Sequence, residues 1–97
     1  MGKSVVRFGD ADVPHCSPMT RLGKSSNVFV NGRGVSRRND FNTPHVLPAV
    51  PSCINHSAVI AIGSTKVFAN GKGVGRTGDA LTGCTACGVG STNVFAG

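Results

Sequence analysis

Three potential metal ligands stand at matching positions in this sequence. Each follows an aspartate by five residues; the pairs are Asp10 and His15, Asp40 and His45, and Asp79 and Cys84. Histidine nitrogen and cysteine sulfur are the usual protein ligands of zinc. If the three positions belong to repeated units that meet in space, the three side chains converge on one point. His56, the one remaining histidine, is then the first choice for a fourth ligand.

The resulting set would hold zinc with four protein ligands, which are His15, His45, His56 and Cys84. Such a site is closed to water, which indicates a structural metal rather than a catalytic one. A second set ignores the repeat and follows ordinary ribbon spacing, with two pairs of the C-x-x-C or C-x-x-H type. Its members are Cys53, His56, Cys84 and Cys87. We favour the first set, because its members are in register with a repeat.

The repeat that positions these residues consists of two phrases. Gly63-Ser-Thr-Lys-Val-Phe68 recurs as Gly90-Ser-Thr-Asn-Val-Phe95 and, with one extra residue, as Gly23-Lys-Ser-Ser-Asn-Val-Phe29. A unit this short cannot bury a core alone, so its copies must pack on one another.

The second phrase is an Arg-x-x-Asp frame, and its spacing shows how the repeat is arranged. The three copies are Arg7 to Asp10, Arg37 (or Arg38) to Asp40, and Arg76 to Asp79. Two copies follow the first phrase at a fixed offset, whereas the third stands at the N-terminus. The chain therefore begins and ends in mid-repeat, and we expect three units to close around a pseudo-threefold axis with the termini adjacent. An arginine three residues before an aspartate is expected to fix a turn by ion pairing rather than to catalyse.

Local patterns predict short β-hairpins and no helix. Asn31-Gly32 and Asn70-Gly71 follow short apolar runs, and Asn-Gly is the strongest short hairpin signal because both turn residues need positive φ. Two segments rich in proline, from 14 to 19 and from 43 to 56, are expected to be loops. The whole chain, 1–97, is predicted to be one loop-rich, all-β domain.

Composition narrows the possible functions. The 97 residues carry 10 Lys and Arg against 4 acids, a formal net charge of +6, and the basic residues form no run longer than two. This pattern argues against a nucleic-acid-binding tail. The chain has no Glu and most of its Ser and Thr lie in the repeat phrases, so no catalytic set is visible. No segment resembles a signal peptide or a membrane span, so we expect folding in a reducing cytosol.

The coupled phrases resemble those of the PAAR-repeat family, although no unit contains a literal Pro-Ala-Ala-Arg. The matching stretches are Val5-Val-Arg-Phe-Gly-Asp10, Gly34-Val-Ser-Arg-Arg-Asn-Asp40 and Gly73-Val-Gly-Arg-Thr-Gly-Asp79. The resemblance is strongest to the central-spike tips of contractile-tailed phages. It implies a small cone of short hairpins with pseudo-threefold symmetry and one structural zinc near its vertex, held by His15, His45, His56 and Cys84.

The resemblance also implies a non-enzymatic function. Such a protein caps the C-terminal β-helix of a trimeric spike, one tip per trimer, in the tail baseplate of a virion assembled in the host cytoplasm. It touches the host outer membrane transiently and has no nucleic-acid or small-molecule ligand. Alternatives are the tip of a type VI secretion spike and a zinc-stapled nucleic-acid or adaptor module.

Three Val-Phe pairs could contact the spike at equivalent positions, although an internal core position explains them equally well. The pairs are Val28-Phe29, Val67-Phe68 and Val94-Phe95.

Overall fold

The computed structural model describes residues 2–14, 19–43, 58–82 and 85–97. These residues form six strands of two residues each and no helix, so the all-β prediction is confirmed. The strands are β1 (Lys3–Ser4), β2 (Phe29–Val30), β3 (Arg33–Gly34), β4 (Phe68–Ala69), β5 (Lys72–Gly73) and β6 (Phe95–Ala96). They pair as three antiparallel hairpins.

Two hairpins close through the Asn-Gly turns that the sequence predicts. Asn31 and Asn70 both have φ of 55°, and the glycines that follow them have φ of 78° and 75°. These left-handed values cost asparagine and glycine less than other residues. In each hairpin the residues flanking the turn face each other, Val30 with Arg33 and Ala69 with Lys72.

The third hairpin is assembled from the two ends of the chain. β1 pairs antiparallel with β6, with Lys3 opposite Ala96 and Ser4 opposite Phe95. This register matches that of the two continuous hairpins. The ends of the chain therefore lie side by side, as expected of a repeat that begins and ends in mid-unit. We call the three repeat units the first (90–97 with 3–14), the second (24–43) and the third (63–82).

A closed ring of backbone hydrogen bonds joins these units head to tail. The N–H of Val6 donates to the carbonyl of Gly75 at 3.0 Å, and the N–H of Gly75 donates to the carbonyl of Ser36 at 2.7 Å. The N–H of Ser36 completes the ring by donating to the carbonyl of Val6 at 3.0 Å. All three residues are buried, so the ring satisfies backbone groups that water cannot reach.

Two small apolar clusters form the core. The hairpin cluster packs the three hairpins together and comprises Val5, Val35, Val74, Ala69 and Ala96. The inner cluster comprises Val6, Ala58, Ile60, Leu81 and Cys87, and several of its members lie beside the segments outside the described residues. Both clusters are built from small side chains, so burial of apolar surface contributes modest stability in a domain of this size.

The pairing of β1 with β6 predicts that the chain tolerates a new pair of ends. In the test protein, Gly97→Asn is joined directly to Gly2, which recreates the Asn-Gly turn, and the chain is opened between Asn70 and Gly71. We expect this permuted chain to fold with a free energy of unfolding within about 2 kcal/mol of the original. Amide-proton NMR spectra and thermal unfolding measure the outcome.

A matched control opens the chain between Phe68 and Ala69, inside β4, and is expected not to fold because it interrupts a strand. An unfolded protein from the cut at residue 70, under conditions where the original chain folds, would contradict the proposed arrangement of units.

Candidate functional site

Each repeat aspartate is held by the arginine three residues before it. The arginine backbone N–H donates to Oδ2 of the aspartate at 2.8 Å in all three copies. Its Nε donates to the same oxygen at 2.8, 2.7 and 3.1 Å. The pairs are Arg7–Asp10, Arg37–Asp40 and Arg76–Asp79. The predicted turn-fixing ion pairs are confirmed, with Arg37 rather than Arg38 in the second copy.

The hydroxyl of each repeat serine explains the first phrase. Its Oγ accepts hydrogen bonds from the backbone N–H groups two and three residues later, at 2.9–3.2 Å. The three serines are Ser25, Ser64 and Ser91, and all are at most 2% exposed. These side chains cap local turns and are therefore committed to structure rather than chemistry.

The turn asparagines link neighbouring units, a function that sequence reasoning missed. Asn31 Oδ1 accepts hydrogen bonds from Ser91 Oγ at 2.6 Å and from Arg7 Nη1 at 2.8 Å. Its Nδ2 donates to Asn93 Oδ1 at 2.9 Å. The side chain of Asn31 therefore links the second unit to the first by three hydrogen bonds.

Asn70 makes the same set of bonds to the second unit. Its Oδ1 accepts from Ser25 Oγ at 2.6 Å and from Arg37 Nη1 at 2.9 Å, and its Nδ2 donates to Asn27 Oδ1 at 2.8 Å. At the corresponding third place, Ser64 Oγ donates to the carbonyl of Gly97. The available sequence signal was an Asn two residues after each of two repeat serines, Ser25 and Ser91.

The Val-Phe pairs divide between core and surface. Val28 and Val94 pack against the hairpin cluster, whereas Val67 is 42% exposed. The three phenylalanines, Phe29, Phe68 and Phe95, are 58%, 58% and 56% exposed. Each of them stands on a hairpin strand at the same register, opposite Gly34, Gly73 or Ser4. The three hairpins therefore present three equally exposed aromatic rings, and we call the surface formed by Phe29, Phe68 and Phe95 the hairpin end.

A buried polar centre lies inside the molecule, and sequence reasoning also missed it. Arg21 Nη1 contacts Asp12 Oδ2 at 3.0 Å, and neither side chain is exposed. Arg21 Nε donates to Ser36 Oγ at 3.2 Å, and its Nη2 donates to the carbonyl of Asp40. Asn42 Nδ2 donates to Asp12 Oδ2 at 3.2 Å. The charges offset each other in a place that no substrate reaches, so we interpret this centre as structural.

Cys87 is a buried thiol in the inner cluster and is 2% exposed. Burial raises its pKa to about 12, so the group is protonated at neutral pH. The alternative ligand set that includes Cys87 stays a prediction, since its other three members lie outside the described residues.

The predicted zinc ligands His15, His45, His56 and Cys84 all lie outside the described residues, as do Cys16 and Cys53. Within the described ranges, no group of three or more His, Cys, Asp or Glu side chains could hold a metal ion.

The described residues next to these segments are nevertheless joined in one pattern. The N–H of Val13 donates to the carbonyl of Ala86 at 2.9 Å. Thr43 donates in the same way to Thr20 at 2.8 Å, and Thr82 donates to Val59 at 2.9 Å. Each donor lies at the end of one repeat unit, and each acceptor lies in the described segment that next follows another unit. The three units therefore end in corresponding hydrogen bonds.

No model of a known protein family matches this chain, and a comparison with curated proteins finds no match either. Across the described ranges, no helix is long and apolar enough to span a membrane.

The shared geometry of the three ion pairs predicts similar energetic effects. The variants Asp10→Ala, Asp40→Ala and Asp79→Ala each remove the acceptor for one backbone N–H and for the guanidinium of the repeat arginine. Asp10→Ala also removes the partner of Arg33. We expect each variant to lose about 2–3 kcal/mol of stability. Arg38→Ala is the matched control. Arg38 is exposed, and Asp40 is held by the neighbouring Arg37 rather than by Arg38.

Urea unfolding followed by circular dichroism measures these changes. Losses below about 0.5 kcal/mol for the aspartate variants, or a comparable loss for Arg38→Ala, would show that the turns do not depend on the pairs.

Proposed function

We propose that this protein is a non-enzymatic tip that caps the trimeric β-helical central spike of a contractile injection machine, most closely that of a phage tail baseplate. The observation that carries the proposal is the closed head-to-tail ring of three repeat units within one chain. A trimeric spike ends in three identical surfaces around one axis. A monomer with three matching units can contact all three surfaces at once.

Several features support a pseudo-threefold axis through the ring. The bonds among Val6, Ser36 and Gly75 run from unit to unit in one rotational direction, and a second set of three bonds runs around the units in the opposite direction. In the second set, Phe8 donates to Gly34, Arg38 to Gly73 and Thr77 to Ser4, all at 2.8–2.9 Å. The principal extents are 39, 24 and 23 Å, which fits an elongated body with nearly equal width in two directions.

The hairpin end is the surface that we assign to the spike. Phe29, Phe68 and Phe95 offer three equivalent apolar contacts, and aromatic anchors dominate the energetics of many protein interfaces. The two-residue strands also leave backbone edges that could pair with the open edges of the spike.

A structural zinc is the second part of the proposal, and its ligands are assigned as His15, His45, His56 and Cys84. The ends of the three repeat units, at Val13, Thr43 and Thr82, support this assignment. His15, His45 and Cys84 each follow one of these residues by two positions, a reach of at most about 7 Å. Three soft or borderline donors at corresponding places, with one more histidine, suit tetrahedral zinc.

Zinc bound there would supply folding energy by cross-linking segments that cannot bury a core of their own. The chain itself contributes the hydrogen-bonded turns that end the three units. Ala58 and Leu81 of the inner cluster are close in sequence to the segments outside the described residues.

The described residues also support a non-enzymatic function. All four acids of the chain are buried and bonded to arginines, so none is placed to transfer protons to a substrate. Cys87 is protonated at neutral pH, which removes it as a nucleophile.

A metal measurement tests the zinc assignment. We expect the purified protein to contain one zinc per chain by mass spectrometry. Each single variant of a predicted ligand is expected to lose most of the zinc and to unfold at a lower temperature. These variants are His15→Ala, His45→Ala, His56→Ala and Cys84→Ser. Cys87→Ala and Cys53→Ser are the matched controls and should retain one zinc each, because they belong only to the alternative set.

Loss of zinc from Cys53→Ser and Cys87→Ala, with full retention in His15→Ala and His45→Ala, would establish the alternative ligands instead. Wild-type protein that contains no metal would refute the structural-zinc assignment.

A second experiment tests the spike surface. The probe is the C-terminal β-helical fragment of a trimeric spike protein encoded in the same genome, immobilised for interferometry. Phe29→Ser, Phe68→Ser and Phe95→Ser should each weaken binding by about tenfold or more, which corresponds to a contact of about 1.4 kcal/mol. The three effects should be similar, because the three rings are equally exposed.

Phe41→Ser is the matched control, since Phe41 is 53% exposed but lies outside the hairpins. A Phe41→Ser effect as large as the other three, or a triple variant that binds like wild type, would exclude the hairpin end as the spike-binding surface.

A further inference from the structure

The acidic residues of this protein contribute almost nothing to its exposed surface. The chain has four acids, and each is at most 8% exposed. Every one is bonded to an arginine; the partners are Arg7 and Arg33 for Asp10, Arg21 for Asp12, Arg37 for Asp40, and Arg76 for Asp79. The exposed formal charge is therefore positive throughout.

Five exposed cations remain after these ion pairs are assigned. They are Lys3, Lys24, Arg38, Lys66 and Lys72, all of which are described and exposed. Among the described residues none of these five forms an ion pair with a carboxylate. They account for most of the +6 formal charge.

The hairpins carry a cation at one repeated position. Lys3 on β1, Arg33 on β3 and Lys72 on β5 each stand opposite the last residue of the partner strand. Lys3 and Lys72 are exposed and form no ion pair among the described residues. The Arg33 side chain is 41% exposed, and its Nη2 lies 3.0 Å from Oδ1 of Asp10. Positive charge thus accompanies the exposed phenylalanine on all three hairpins.

The described segments away from the hairpins carry no exposed formal charge. In the ranges 11–14, 19–22, 41–43, 58–62, 80–82 and 85–89 only Asp12 and Arg21 are charged, and they form the buried pair. Among the described residues, exposed charge therefore lies in the hairpins and in the turns that adjoin them.

From this segregation we infer that the surface receiving the hairpins is acidic, with carboxylates at three symmetry-related positions of the spike trimer. The inference rests on the proposed function and names the chemistry of its partner. Exposed lysines opposite carboxylates would steer the two proteins together and fix their rotational register.

The same segregation argues against an anionic membrane as the target of the positive charge. A protein that used its charge to attract lipid phosphates would place cations at the end that meets the membrane. Here the exposed cations accompany the hairpins, whereas the described segments away from the hairpins have none, and burying charge in a bilayer is unfavourable. The cations therefore suit contact with the spike.

The test measures binding to the immobilised spike fragment at about 50 and about 300 mM NaCl. We expect affinity to fall at higher salt because exposed ion pairs are screened. Lys3→Gln and Lys72→Gln should each weaken binding by about two- to fivefold at the lower salt, and the double variant should show a weaker salt dependence. Lys24→Gln is the matched control, because Lys24 is outside the hairpin strands and its ammonium lies over the Phe8 ring at 5.5 Å.

Parallel measurements use vesicles containing phosphatidylglycerol and a random-sequence DNA duplex. Spike affinity that is unchanged by the double variant at both salts would overturn the acidic-surface inference while leaving the proposed function intact. The same conclusion follows if the lysine variants lose vesicle or DNA binding but keep spike binding. Failure of the wild-type chain to bind the spike at either salt would refute the proposed function and, with it, this inference.

Discussion

The closed ring of backbone hydrogen bonds among Val6, Ser36 and Gly75 is the constraint on which the rest of this structure depends. Each strand is only two residues long and no hairpin of this size is stable alone. The ring converts three weak hairpins into one cooperative body, because each unit completes the backbone bonding of its neighbour. The first and last strands pair because the hairpin of the first unit takes one strand from each end of the chain.

Around the ring, the repeat phrases perform distinct physical functions. The serine hydroxyl caps a turn, the Arg-Asp pair fixes the next turn, and an asparagine from one hairpin clasps the neighbouring unit. The buried centre formed by Arg21 and Asp12 differs from these features because it occurs once. At the positions corresponding to Arg21, the other units carry Ile60 and Cys87, as the bonds from Gly9, Asn39 and Gly78 show. A single buried ion pair among similar units could specify their order around the ring.

Sequence reasoning succeeded where the signal was local. The Asn-Gly turns, the Arg-Asp pairs and the adjacency of the chain ends follow from short phrases and their spacing. It failed where the function of a residue depends on which unit lies beside it. Asn31 was read only as a turn residue, yet its side chain binds Ser91 and Arg7, which are distant in sequence. Arg21 carried no local signal of burial. The sequence does not assign the Val-Phe pairs to core or surface. The alternating sides of an extended chain explain why Val28-Phe29 and Val94-Phe95 divide between the two. The zinc ligands stay a prediction, since all four lie outside the described residues.

In the proposed function one polypeptide is the equivalent of a trimer at the end of a trimeric spike, and the composition of the complex measures this directly. Native mass spectrometry of the chain mixed with a β-helical spike fragment would give the number of chains in each complex. We expect one chain for every three spike polypeptides, even when the chain is present in excess. Complexes that contain three chains for each spike trimer would contradict the proposed function, because each repeat unit would then not be contacting its own spike strand.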